Sequence, residues 1–284
     1  MKKILDVLRG ALIGAANVIP GVSGGTMMVS MGIYDKIIGS ITRFTKQWKK
    51  SVLILLPYLI GMAIGIVGSA FTIEKAFERF PLPTALLFIG LIFGGIPMLY
   101  KHVKGGKWSF VHVLLFLAFF GLVVGLQVLG NHMGLERTLT PTIVNFIIAF
   151  LIGTVAAATM IIPGVSGSMV MMILGYYTAI IGLINDCISA LLSFDIKALF
   201  SVVIILLPFG LGVIFGIIAV AHLIEYLMKK YEKATYCAIL GLVVASPFPV
   251  FMNAGIGAVG IGAVIAAVVT FAIGFAGAMK LGGE

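Results

Sequence analysis

Six stretches of this chain hold no Asp, Glu, Lys or Arg: residues 51–73, 80–100, 108–135, 138–185, 198–224 and 234–279. Each reaches or exceeds the roughly 20 apolar residues that a helix needs to cross a bilayer. The whole chain agrees, with 61% hydrophobic and 10% charged residues and a mean hydropathy of +1.20 over 284 residues. Those values lie far outside the range of soluble globular domains. The expected fold is therefore an all-α integral membrane protein, with helices rather than a barrel filling the windows.

Within one of these regions, and within a further uncharged stretch at 10–34, the backbone is interrupted, and the interruption is repeated. Placing Pro20 on Pro163, an offset of 143, aligns IPGVSGGTMMVSMGIYDKIIG (19–39) with IPGVSGSMVMMILGYYTAIIG (162–182), identical at 12 of 21 positions. After an insertion, ILLPYLIGMAIGI (54–66) matches ILLPFGLGVIFGI (205–217), and TALLFIGLIFGG (84–95) matches TYCAILGLVVAS (235–246). The chain is an internal duplication. Residues 1–130 form the first repeat and 138–284 the second. Each repeat carries a Pro-Gly segment followed by three apolar windows.

Length and charge together predict how that segment meets the membrane. In the first copy Arg9 and Asp35/Lys36 bracket 25 uncharged residues, broken at Pro20-Gly21. Arms 10–19 and 21–34 would be about 15 and 21 Å long, against a hydrocarbon core of about 30 Å. A re-entrant hairpin over about 10–38 is expected, with a second over about 141–183. Spans follow at about 51–73, 82–100 and 108–129, then at about 198–221, 234–251 and 256–279. This topology puts 15 of the 19 Lys and Arg residues on the cytoplasmic side, leaving Lys75, Arg79, Arg137 and Lys197 outside. Both termini are then cytoplasmic. Three spans per repeat is an odd number, so the second repeat is inserted upside down relative to the first, an inverted-topology architecture in which the two tips approach each other near mid-membrane.

Irregular backbone at membrane depth survives only when buried in protein or facing a polar cavity. The breaks at Pro20, Gly21, Pro163 and Gly164 each start a new half-helix. The first turns, Ser23-Gly24-Gly25-Thr26 and Ser166-Gly167-Ser168, offer free N–H groups and the positive end of a helix dipole, which suits an anion. Against this stands close helix packing by small residues, with the serines acting as caps alone. Asn17 is expected to hydrogen-bond either the unwound backbone or the ligand. Arg9 either snorkels to lipid phosphates or guides an anion towards the cavity. On the outer side Arg137 and the Glu74-Lys75…Glu78-Arg79 loop are the cations available to receive an anionic head.

Other function classes have weaker support. GVSGG (21–25) fits G-x-S-x-G, but that elbow needs a strand-turn-helix setting and a base, and the second copy reads G-x-S-x-S. The net charge of +9 is carried by short loops, where orientation in the bilayer accounts for it, so nucleic acid is not an expected partner. Cys187 and Cys237 share no motif and are expected to pack as small apolar residues. No cofactor or metal is implied. The start, MKKILDVLRGALIGAANV, is expected to be retained, because Asp6 and Arg9 interrupt its apolar region. The glycine-rich stretch 253–279 could pack within the monomer or in a homo-oligomer. Buried charge is scarce, which suits a substrate whose charged head alone enters while an apolar tail stays in lipid.

GAANVIPGVSGGT (14–26), GIYDKI (32–37) and IPGVSGSMVMMILGYY (162–177) resemble the paired signatures of the bacterial polyprenyl-phosphate transporter family over essentially the whole chain. The resemblance implies a transporter, not an enzyme, that recycles undecaprenyl phosphate from the outer to the inner leaflet of the bacterial cytoplasmic membrane. The matching positions are Asn17, Pro20, Gly21, Ser23, Gly24, Gly25 and Thr26, with Pro163, Gly164, Ser166, Gly167 and Ser168. A small-anion channel or carrier, and an intramembrane lipid phosphatase or hydrolase, remain the alternatives.

Overall fold

A computed structural model of the protein describes residues 2–18, 22–105, 108–130 and 136–282, and among them all regular structure is helical. The first repeat holds α1 (Lys2–Val18), α2 (Gly24–Ser30), α3 (Tyr34–Thr42), α4 (Trp48–Arg79), α5 (Pro81–Val103) and α6 (Phe110–Gly130). The second holds α7 (Ile143–Ile161), α8 (Gly167–Leu174), α9 (Tyr177–Leu192), α10 (Ile196–Lys230), α11 (Glu232–Ala245), α12 (Pro247–Met252) and α13 (Ile261–Gly282). Among the described residues, seven segments are long and apolar enough to cross a membrane: Trp48–Ser69, Pro81–Val103, Phe110–Gly130, Ile143–Ile161, Ile196–Lys230, Glu232–Met252 and Ile261–Gly282. Side chains such as Leu114, Leu117 and Val268 stand exposed on them, as hydrocarbon-facing residues do. The chain is a multi-pass membrane protein.

The duplication is visible in where helices start and stop. At the offset of 143, the ends of α1 and α7 coincide at Val18 and Ile161, the starts of α2 and α8 at Gly24 and Gly167, and the starts of α3 and α9 at Tyr34 and Tyr177. Ser23 and Ser166 precede α2 and α8 with nearly the same extended backbone, φ −104°, ψ 133° and φ −92°, ψ 125°. Pro20 and Gly21 lie outside the described residues. Pro163 and Gly164 form the turn that leads out of α7, with Gly164 at φ +79°, a conformation that L side chains rarely adopt.

Two expectations about the hairpin arms need correcting. Arg9 does not bound the first arm, because the helix runs through it from Lys2. α1 has 17 residues and α7 has 19, or about 26 and 28 Å, and α7 meets the length of a span. Arg9 is 7% exposed and paired, so its charge does not end the buried stretch as a solvated one would. The second arms are also divided, at Gly32 (φ +64°) and Gly175 (φ +82°), and α8 and α9 meet at a bend of 109°. Smaller shifts occur further on: the span expected from 234 is divided between α11 and α12, with Pro247 opening the second piece, and α13 begins only at Ile261 after a glycine-rich non-helical stretch.

The chain forms two compact units. One contains Met1–Gly125, Ile162–Val165 and Ala221–Glu284; the other contains Leu126–Ile161 and Ser166–Val220. In the first unit α1 and α4 pack backbone to backbone. A Cβ on Gly10 would lie 2.3 Å from the Tyr58 carbonyl oxygen, and one on Gly61 would lie 2.0 Å from that of Val7. The second unit repeats the arrangement, with Gly153 against Phe209 and Gly212 against Phe150. Small residues bring helices close enough for dispersion to hold them in lipid, where no hydrophobic force between helices is available.

The pairing of the later spans crosses the repeat boundary. Within the first unit, Gly90 of α5 faces the Phe271 carbonyl of α13, while Gly241 of α11 faces the Phe116 carbonyl of α6. Phe116 stacks on Phe120, and Phe271 on Phe275, in the same way. Each repeat's second span therefore packs on the other repeat's third span. Gly274 of the glycine-rich last span is used inside the monomer, where a Cβ would meet the Leu87 carbonyl at 2.1 Å.

Candidate functional site

The first tip is built from the end of α1 and the start of α2. Ser23, Thr26 and the intervening glycines are buried. The Ser23 side chain makes no cap bond to its own helix. The cap comes from Asn17, whose Oδ1 accepts the Gly24 N–H at 3.2 Å. Of the two partners expected for Asn17, the structure gives the backbone at the helix start. A Cβ at position 24 would lie 2.7 Å from that same Oδ1, so a larger residue there would push the Asn17 cap aside. The Met27 N–H is the first to reach a helical acceptor, Ser23 O at 3.2 Å, so the Gly25 and Thr26 N–H groups have no acceptor within the helix.

The turn after α7 packs against this tip. Gly164 donates its N–H to Thr26 Oγ1 at 2.7 Å, and Ser23 Oγ donates to the Ile162 carbonyl at 3.4 Å. Residues 162–165 and 23–26 belong to the same compact unit. Thr26 is therefore a fastener between the two Pro-Gly segments, with its hydroxyl committed to protein backbone.

The second tip has the same helix start without a side-chain cap. Val170 N–H is the first to bond back, to Ser166 O at 3.1 Å, and Ser166 and Ser168 share a hydroxyl hydrogen bond of 2.9 Å. A Cβ on Gly167 would be tight, 3.0 Å from the Ala156 carbonyl oxygen and 3.2 Å from Thr159 Oγ1. Arg137 is exposed and lies at the far end of α8: its N–H donates to the Gly175 carbonyl at 2.9 Å, and its guanidinium sits 5.6 Å from the Tyr176 ring centre. It thus marks the α8–α9 bend rather than the Ser166 helix start.

Arg9 belongs to a charged cluster that sequence reasoning did not assemble. Asp6 Oδ1 accepts from Tyr58 Oη at 2.5 Å and from Arg9 Nη1 at 3.4 Å, and Asp6 Oδ2 accepts from Lys36 Nζ at 3.1 Å. Lys36 also donates to Tyr58 Oη at 2.9 Å. Arg9 Nη2 donates to the Leu281 carbonyl in the last turn of α13, while Arg9 Nε is buried with no hydrogen-bond partner. Burial pushes the Asp6 carboxyl up, but the hydrogen bonds from Tyr58, Lys36 and Arg9 and the Lys36 charge outweigh it and hold Asp6 below the usual carboxylate value. The available signal was the rarity of charge near hairpin 1; the contact with Tyr58, 52 residues from Asp6, has no local signature.

A profile of the undecaprenyl phosphate translocase-like family matches residues 13–259, which include both tips. The chain belongs to that family. The polyprenyl-phosphate transporter of Staphylococcus aureus (strain NCTC 8325 / PS 47) is 30% identical over 255 residues, covering 88% of this chain and 86% of the relative. The polyprenyl-phosphate transporter of Vibrio cholerae serotype O1 (strain ATCC 39315 / El Tor Inaba N16961) is 30% identical over 260 residues, covering 87% and 77% respectively. No solved structure matches the chain.

Proposed function

We propose that the protein is a transporter, not an enzyme, that moves undecaprenyl phosphate from the outer to the inner leaflet of the bacterial cytoplasmic membrane. The observation that carries this reading is the doubled helix start, Ser23-Gly24-Gly25-Thr26 and Ser166-Gly167-Ser168, with nearly the same cap backbone and, among the described residues, first-turn N–H groups that have no acceptor within their helix. The phosphate head is held by these N–H groups and by the Ser23, Ser166 and Ser168 hydroxyls at mid-depth, and the polyprenyl tail stays in lipid. Holding the head in this way offsets the cost of taking a charge out of water. Membership of the family, and the printed names of the two relatives, support the substrate class.

The two repeats are inserted with opposite topology and both termini are cytoplasmic, as the segregation of Lys and Arg supports. Arg137, exposed beside the α8–α9 bend, receives the head from the outer side. The hydrolase reading is weakened by the Ser23 hydroxyl, which donates to a carbonyl rather than to a base. The test is transfer of labelled polyprenyl phosphate between leaflets of proteoliposomes. Ser23→Ala with Ser166→Ala should slow it at least about tenfold, the equivalent of 1.4 kcal/mol. Transfer at the unaltered rate by a correctly folded double variant would remove the tips from the mechanism.

A further inference from the structure

The two tips are nearly alike, yet the helices that carry them are not. At the offset of 143, Asp6, Arg9 and Lys36 correspond to Ala149, Ile152 and Ala179, and Tyr58 corresponds to Phe209 in the matched ILLP segments. In the second repeat Ala149, Ile152 and Phe209 pack into an apolar cluster. The first repeat has instead gathered three charges and a phenol. Ionisable groups at the bundle interior are expensive and mark ligand pathways.

The cluster also carries more cationic capacity than its own carboxylate uses. Among the described residues two cations share the single Asp6 carboxylate, leaving one formal positive charge in excess within the cluster. Asp35, next to Lys36, is turned away from the cluster: among the described residues Arg9 and Lys36 form ion pairs with Asp6 and not with Asp35, whose carboxylate accepts from Tyr236 Oη at 2.7 Å. The Leu281 carbonyl answers only one arm of Arg9, and Arg9 Nε remains buried and unpartnered. Lys36 is open to entry, with 44% of its side chain exposed. Tyr58 Oη, Lys36 Nζ and Arg9 Nη1 converge on the oxygens of a single carboxylate, which is the donor set a phosphate oxygen requires.

We infer that Arg9, Lys36 and Tyr58 form a second anion site, for a phosphate monoester or free phosphate, in which Asp6 holds the place of the phosphate oxygens until the ligand displaces it. This rests on the transport reading for the identity of the ligand, though not for the existence of the site. Asp6 acts as a tethered competitor: it keeps the donors assembled when the site is empty and limits how tightly the phosphate is held, so the head is passed on rather than retained.

The test uses the full chain in nanodiscs of neutral lipid, with phosphate binding followed by calorimetry in two arms, inorganic phosphate and farnesyl phosphate. Asp6→Asn should bind at least ten times more tightly than wild type in at least one arm. Adding Lys36→Gln to Asp6→Asn should abolish the gain, and Lys36→Arg in its place should preserve it, which separates loss of the site from misfolding. A gain for farnesyl phosphate alone identifies the lipid head as the ligand; a gain in both arms, or for inorganic phosphate alone, identifies a site for the free anion. Unchanged affinity of folded Asp6→Asn in both arms overturns the inference. The tip variants are run in parallel: loss of transfer in them with no change in Asp6→Asn leaves the transport reading standing and this one refuted, and the reverse pattern does the opposite.

Discussion

Thr26→Val removes one oxygen from the place where the two Pro-Gly segments touch. Thr26 is 0% exposed, and its hydroxyl accepts the Gly164 N–H at 2.7 Å. Valine keeps the shape and leaves that buried N–H without an acceptor, at a cost of about 1–3 kcal/mol. The penalty falls on the state in which the segments are joined, so their separation should become about 5 to 140 times more frequent, at 1.4 kcal/mol per tenfold. Amide hydrogen exchange of peptides covering 161–166, read by mass spectrometry in nanodiscs, measures that separation directly. Thr26→Ser is the control, because it keeps the hydroxyl and loses a methyl worth about 1 kcal/mol, which is felt as packing rather than as loss of the Gly164 bond. If Thr26→Val exchanges like wild type while Thr26→Ser is the faster of the two, the hydrogen bond does not fasten the segments and the reasoning from 2.7 Å fails.

Two further outcomes follow from packing and charge. Gly61→Ala would place a Cβ 2.0 Å from the Val7 carbonyl oxygen, whereas Gly68→Ala meets nothing within 4 Å; thermal unfolding in detergent should show a loss of about 3 kcal/mol or more for the first and no loss for the second. Asp6 has a depressed carboxyl pKa, so its contribution to stability is fully present above its ordinary value of 3.8 and is lost as pH falls through the lower folded value. Wild type should lose melting temperature across that acidic window more steeply than Asp6→Asn, and parallel curves would show that the cluster adds nothing to stability.

The spans were legible because hydrocarbon imposes length and apolarity on each of them separately. The tips were legible because Pro-Gly-Val-Ser-Gly is a local signal, and the duplication supplied the second copy. The arm lengths were misread because Arg9 was treated as a solvated boundary, whereas Asp6 and the Leu281 carbonyl bury it inside a continuous helix. The breaks at Gly32 and Gly175 carried a usable sign, a glycine two residues before a helix-starting tyrosine in G-I-Y and G-Y-Y, but lay beside a more conspicuous Pro-Gly. The Asp6–Lys36–Tyr58 cluster and the Thr26–Gly164 bond were beyond reach, since each joins residues from separate helices through packing that no periodicity encodes.

The crossed pairing of α5 with α13 and of α11 with α6 sets an order of assembly. As the chain is made, α5 enters the bilayer with its Gly90 and Gly94 face uncovered, and the helix that covers it is synthesised only after α6 to α12. Neither half of the gene could encode a finished protein, even though each encodes a full set of elements. A chain stopped before residue 261 would keep both tips and every candidate phosphate ligand, yet leave the Gly90–Gly94 face of α5 bare and Arg9 without the Leu281 carbonyl. Completion of the first unit therefore depends on α13, far along the sequence from the residues proposed to hold the phosphate head.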